Sequence, residues 1–84
     1  MTPRESAVAR EIRRIARTEL QLEVEARDDE ELAGSLDSLA LLSLVVAVED
    51  RFRIVLTEDD GATARSLADL ARIVAARTRE EVPA

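Results

Sequence analysis

The side chains available for chemistry are few. The 84 residues include no histidine, cysteine, tryptophan or tyrosine, and all 12 basic residues are arginine. Histidine acid–base catalysis, cysteine or lysine covalent catalysis, disulfides and nearly all zinc sites are therefore excluded. The acidic clusters at 28–31 and 58–60 lack the alternate spacing and closing glutamate of a calcium loop, so they read as solvated charge and no metal is expected. Two glycines, Gly34 and Gly61, cannot build a phosphate-cradling loop. What remains is Asp37-Ser38-Leu39, a hydroxyl at the start of the longest apolar stretch. A serine at a helix start ordinarily caps it, its oxygen accepting a backbone N–H. The same position also suits a phosphate ester, because spare N–H groups and the positive end of the helix dipole stabilise an anion.

The elements that must position this hydroxyl read as helical. Thr2, Pro3 and Glu5 form a helix start, and Val8, Ile12 and Ile15 recur at helical spacing, giving a first helix over about 3–19. The alternation from Leu20 to Ala26 would suit a strand, but a lone strand has no partner. An extended loop pinned by Leu20, Leu22 and Val24 is predicted instead, continuing through the acidic run and Gly34. A second helix spans about 38–53, with Leu41, Leu44, Val45, Val48 and Phe52 as its core stripe. Leu39, Leu42 and Val46 form a further apolar stripe, read as a docking surface in preference to a second buried face. Thr57 caps a short third helix over about 57–62 that Gly61 should break. Ser66 and Asp69 open a fourth over about 66–79, whose inner face is Leu67, Leu70, Ala71 and Val74. The tail 80–84 should fray. The expectation is one all-α domain, a four-helix bundle with a long first loop and a short third helix.

Apolar residues make up 46% of the chain and charged residues 36%, too apolar a mixture for disorder. The net charge of −6 argues against nucleic acid. The charge is also uneven: 28–62 carries two arginines against ten acids, a field that attracts basic partner surfaces. The N-terminus has no apolar leader and no run approaches 18 apolar residues, so a cytoplasmic, membrane-free monomer is expected, unable to act as an enzyme alone.

The stretch from Gly34 to Ile54 (Gly-Ser-Leu-Asp-Ser-Leu-Ala-Leu-Leu-Ser-Leu-Val-Val-Ala-Val-Glu-Asp-Arg-Phe-Arg-Ile) resembles the signature of acyl and peptidyl carrier proteins. In that family Asp-Ser-Leu opens the second helix, followed by an apolar run, an acidic pair and a phenylalanine. The resemblance implies the carrier four-helix bundle, with 4′-phosphopantetheine attached to Ser38 by a phosphopantetheinyl transferase that takes it from coenzyme A. The arm's thiol then holds acyl or aminoacyl intermediates as thioesters, so the reactive sulfur comes from a prosthetic group. The same resemblance makes Asp37 and Leu39 the motif neighbours of the attachment serine. It also makes Leu39, Leu42, Val46, Glu49 and Asp50 the face that meets loading enzymes and ketosynthase, condensation or tailoring enzymes. Ala40, Ser43 and Arg51 stand where fatty-acid carriers often have acids, and Gly34 lies three residues before Asp37. These departures favour polyketide, nonribosomal peptide or related specialised biosynthesis, with fatty-acid synthesis, or an unmodified acidic adaptor protein, as the alternative.

Overall fold

Thr2 starts the first helix by a reciprocal cap. Its hydroxyl accepts from the Glu5 amide at 3.1 Å and its own amide donates to the Glu5 carboxylate at 2.9 Å, with Pro3 at the first helical position. The computed structural model describes residues 1–79 and Val82. Among them are four α-helices and no strand: α1 (Pro3–Thr18), α2 (Ser38–Phe52), α3 (Glu58–Thr63) and α4 (Leu67–Arg77), with a 3-10 turn at Leu32–Gly34. The ends differ from the sequence expectations by one or two residues. None of these helices is long and apolar enough to cross a membrane.

The frame is aliphatic. Val8, Ile12 and Ile15 of α1 and Leu67, Leu70, Ala71 and Val74 of α4 are buried, and α1 packs chiefly on α4. Leu44, Val48 and Phe52 bring α2 onto the same core. Leu41 and Val45, expected beside them, are half-buried. Each fully buried aliphatic contributes about 1.5–3 kcal/mol, and ten leucine, isoleucine and valine side chains are buried here.

The segment from Leu20 to Ala26 is irregular, and Leu20, Leu22 and Val24 pack partly against the core. Its carbonyls are met by Arg13, which donates to Val24 at 3.1 Å, to Ala26 at 2.8 Å and to the Asp28 carboxylate at 2.7 Å. Further along the loop, Ala26, Leu32 and Leu36 are buried. The Leu32 amide donates to the Arg65 carbonyl at 2.9 Å and the Ala68 amide to that of Asp28 at 2.8 Å, fastening the loop to the start of α4.

One expectation changes. Gly61 does not end α3: the helix continues to Thr63, with the Gly61 amide bonded to the Thr57 carbonyl and the Ala64 amide to that of Asp60. The reciprocal cap between Thr57 and Asp60 supports the short helix against the backbone entropy of glycine, about 0.5–1 kcal/mol. The expected frayed tail at 80–84 lies outside the described residues apart from Val82, which packs partly buried against the core.

Candidate functional site

The loop-to-α2 junction determines what Ser38 can do. Asp37, in extended backbone, is the N-cap of α2, and its Oδ1 accepts from the Ala40 amide at 2.8 Å. Its carbonyl accepts the first helical bond, from the Leu41 amide at 2.9 Å. Ser38 is the first helical residue and is exposed. Its hydroxyl makes no hydrogen bond among the described residues, nor do the amides of Ser38 and Leu39. The ordinary role of a serine here, bracing the backbone, is thus taken by the neighbouring aspartate. Buried Leu36 and the 3-10 turn hold the approach to the junction, with the Leu36 amide bonded to the Leu32 carbonyl at 2.9 Å.

This arrangement fits a phosphate ester. The hydroxyl is reachable, two amide donors are spare, and the helix dipole favours an anion at that end. The Asp37 charge opposes an incoming anion, but one of its oxygens is committed to the Ala40 amide, which turns part of that charge into the helix.

From Ser38 the outer face of α2 runs along Leu39, Leu42 and Val46, whose relative exposures are 75%, 60% and 48%. Leu42, Ser43, Val46, Ala47 and Asp50 line one side of a surface groove of about 440 Å³, with Leu20 of the first loop on the other. An apolar strip this exposed in so small a chain is a surface available for another molecule.

The acidic pair divides. Asp50 is exposed and has no ion pair among the described residues. Glu49 is half-buried and turned inward, its Oε2 accepting from the Leu56 amide at 2.8 Å. Arg51 is also engaged within the fold, pairing with Glu11 at 3.1 Å and lying over the Phe52 ring at 5.0 Å. Burial works against the Glu11 charge, but hydrogen bonds and attraction from Arg14 and Arg51 overcome it and hold the carboxyl below its usual range. Glu11, Arg13 and Arg51 position α1, the first loop and α2 relative to one another. No periodicity in the chain singles them out.

A family model described as a phosphopantetheine attachment site matches residues 10–74, from the second turn of α1 to the inner face of α4. No curated protein and no solved structure matches the chain.

Proposed function

Since the chain belongs to the phosphopantetheine attachment-site family, we propose that Ser38 carries the prosthetic group and that the outer face of α2 is where partner enzymes dock. The family carries 4′-phosphopantetheine covalently, and its members act as carriers of thioester intermediates. When attached, the group supplies the thiol that holds an acyl or aminoacyl cargo.

This chain's own residues have simpler roles. Asp37 fixes the first turn of α2, so the Ser38 hydroxyl is offered at a constant place and angle. Ser38 is the acceptor hydroxyl for a phosphopantetheinyl transferase drawing on coenzyme A. Leu39, Leu42 and Val46 supply apolar contact, while Asp50 attracts arginine or lysine on the approaching enzyme. Glu49, already bonded to the Leu56 amide, contributes to that field and less to direct contact. Such interfaces are small and partly ionic, which suits a carrier that must leave one enzyme for the next. The protein itself is non-catalytic and works as a cytoplasmic monomer serving loading and condensing or tailoring enzymes. The position of Gly34 and the non-acidic Ala40, Ser43 and Arg51 favour polyketide, nonribosomal peptide or related specialised biosynthesis over fatty-acid synthesis.

The observation that carries this reading is the free, exposed hydroxyl of Ser38 beside an aspartate that does the capping. Incubation with coenzyme A and a broad-specificity transferase, followed by intact-protein mass measurement, tests it. Wild type should gain one phosphopantetheine mass and Ser38→Ala none. A wild-type chain left bare by several transferases would make the α2 face the surface of an unmodified adaptor.

A further inference from the structure

Residues 20–26 carry a two-residue period that the helical fold leaves unused. Leu20, Leu22 and Val24 are half-buried and Ala26 is buried, while Gln21, Glu23, Glu25 and Arg27 are exposed. That is the alternation of a strand with one face on a core. The backbone alternates as well. The Leu22 amide donates to the Ala16 carbonyl at 2.8 Å, and Arg13 donates to the Val24 carbonyl at 3.1 Å and the Ala26 carbonyl at 2.8 Å. One edge of the segment is thus taken by α1. A strand directs the backbone groups of successive residues to opposite edges, so those of Glu23 and Glu25 face away from α1. Their amides and carbonyls have no hydrogen-bond partner among the described residues. Buried backbone groups are almost always paired, so in these exposed residues the unpaired ones are open to water. Neither the Glu23 nor the Glu25 carboxylate has an ion pair among the described residues.

We infer that residues 22–25 form a strand edge that takes up an extended segment of a partner protein, one in which arginine or lysine alternates with apolar residues. The backbones of Glu23 and Glu25 supply two donors and two acceptors, the groups with which an added strand pairs. On the outward face, the partner's cations stand beside Glu23 and Glu25, and cross-strand pairs of opposite charge are favourable. On the inward face, its apolar side chains extend the surface of Leu22 and Val24. A second copy of this chain does not suit the edge. An antiparallel copy sets Glu23 and Glu25 against the same glutamates, and like charges directly opposite destabilise a pair. The edge also continues into the proposed docking face, because Leu20 at its start borders the groove beside Leu42 and Val46. A protein seated on α2 can therefore reach it. Strand pairing needs neither the Ser38 hydroxyl nor a prosthetic group, so it stands or falls apart from modification at that residue.

Amide NMR of the full, unmodified chain, titrated with a synthetic peptide of about ten residues alternating arginine and valine, tests the edge. At saturation the Glu23 and Glu25 amide protons should move downfield and exchange with solvent about tenfold more slowly, the scale of a newly formed hydrogen bond. N-methylation of alternate peptide amides separates pairing from charge attraction, since each methylated form keeps every arginine. The arginine amides face the edge in an antiparallel pair and the valine amides in a parallel one. Methylating one set should therefore weaken binding about tenfold or more, and methylating the other less than about threefold. On the chain itself, Glu25→Pro removes a ladder donor where extended backbone accepts proline, and should weaken binding about tenfold. Glu25→Gln keeps the donor and should weaken it only a few-fold, at low salt alone. Equal affinity for the two methylated peptides, shifts confined to other residues, or no binding at millimolar peptide would overturn the strand edge. So would the same Glu23 and Glu25 shifts produced by concentrating the chain alone, which would make a second copy the occupant.

Discussion

The two faces of α2 are made of the same residue types and meet opposite fates. Leu44 and Val48 are fully buried and Phe52 nearly so, while Leu39, Leu42 and Val46 stand open to solvent on the other side of the same helix. The inner face packs on α1 and the 3-10 turn at Leu32–Gly34 and joins the core that the α4 stripe also fills. Beside the outer face lies the edge of the first loop at Leu20. Hydrophobicity alone therefore does not decide burial. The number of complementary stripes does, and this chain has one apolar stripe more than its own helices can cover. The free hydroxyl of Ser38 lies at the start of that uncovered stripe, which joins attachment and docking on one helix.

Substitutions on the two faces should separate cleanly, and the largest effect belongs to the inner one. Phe52→Ala removes the single aromatic from the core and should cost about 3–5 kcal/mol in denaturant unfolding, because the aliphatic neighbours collapse only partly into the space. Val46→Arg is the opposing case. Unfolding should stay within about 0.5 kcal/mol of wild type, while loading by a cognate enzyme falls about tenfold, the effect of one lost apolar anchor. A collapse of the melting temperature in Val46→Arg would put Val46 in the core and erase the contrast.

Glu49 and Asp50 sharpen the same comparison within one acidic pair. Glu49→Ala deprives the Leu56 amide of its acceptor and should cost about 1–2 kcal/mol in stability, whereas Asp50→Asn should leave stability unchanged. Asp50→Asn should instead slow association with a basic partner a few-fold at low salt, with the difference vanishing as salt rises.

Acid titration gives a smaller, separable effect. The Arg77 guanidinium first, and then the Thr57 amide, hold the Asp60 carboxyl well below the usual carboxylate range. Because its folded value is depressed, the stabilisation is fully present above the ordinary value of 3.8 and is lost as pH falls below it toward the lowered one. The melting-temperature gap between wild type and Asp60→Asn should be constant from neutral pH to about 5 and shrink below about 4. The smallest change expected is a gain. A Cβ at Gly61 would meet open space, and its φ is not positive, so Gly61→Ala should stabilise the chain by about 0.5–1 kcal/mol.

The parts of the fold legible in the sequence are those that repeat. Val8, Ile12 and Ile15 and the Leu67, Leu70, Val74 stripe declare themselves by period, and the caps at Thr2, Thr57 and Ser66 by residue type. Leu32 and Leu36 carry no such signal, because an irregular loop has no period against which a buried leucine stands out. Glu11 and Arg51 are 40 residues apart, and Asp60 and Arg77 are 17, so their pairing follows from packing that no local pattern encodes. Arg51, read along the chain as a departure from an acidic helix, is explained by its Glu11 partner. At the site, residue type reads Ser38 as the cap, although aspartate serves that role equally well. Only the backbone geometry, with Asp37 extended and Ser38 already helical, assigns the cap to Asp37.

Attachment of the prosthetic group to one hydroxyl is tested most directly at peptide level. Trypsin cutting after Arg27 and Arg51 releases a single peptide holding Ser35, Ser38 and Ser43. When the protein is purified from cells that also express its own biosynthetic enzymes, fragmentation of that peptide should place the phosphopantetheine mass on Ser38. A peptide recovered always bare, or modified on Ser35 or Ser43, would contradict the account.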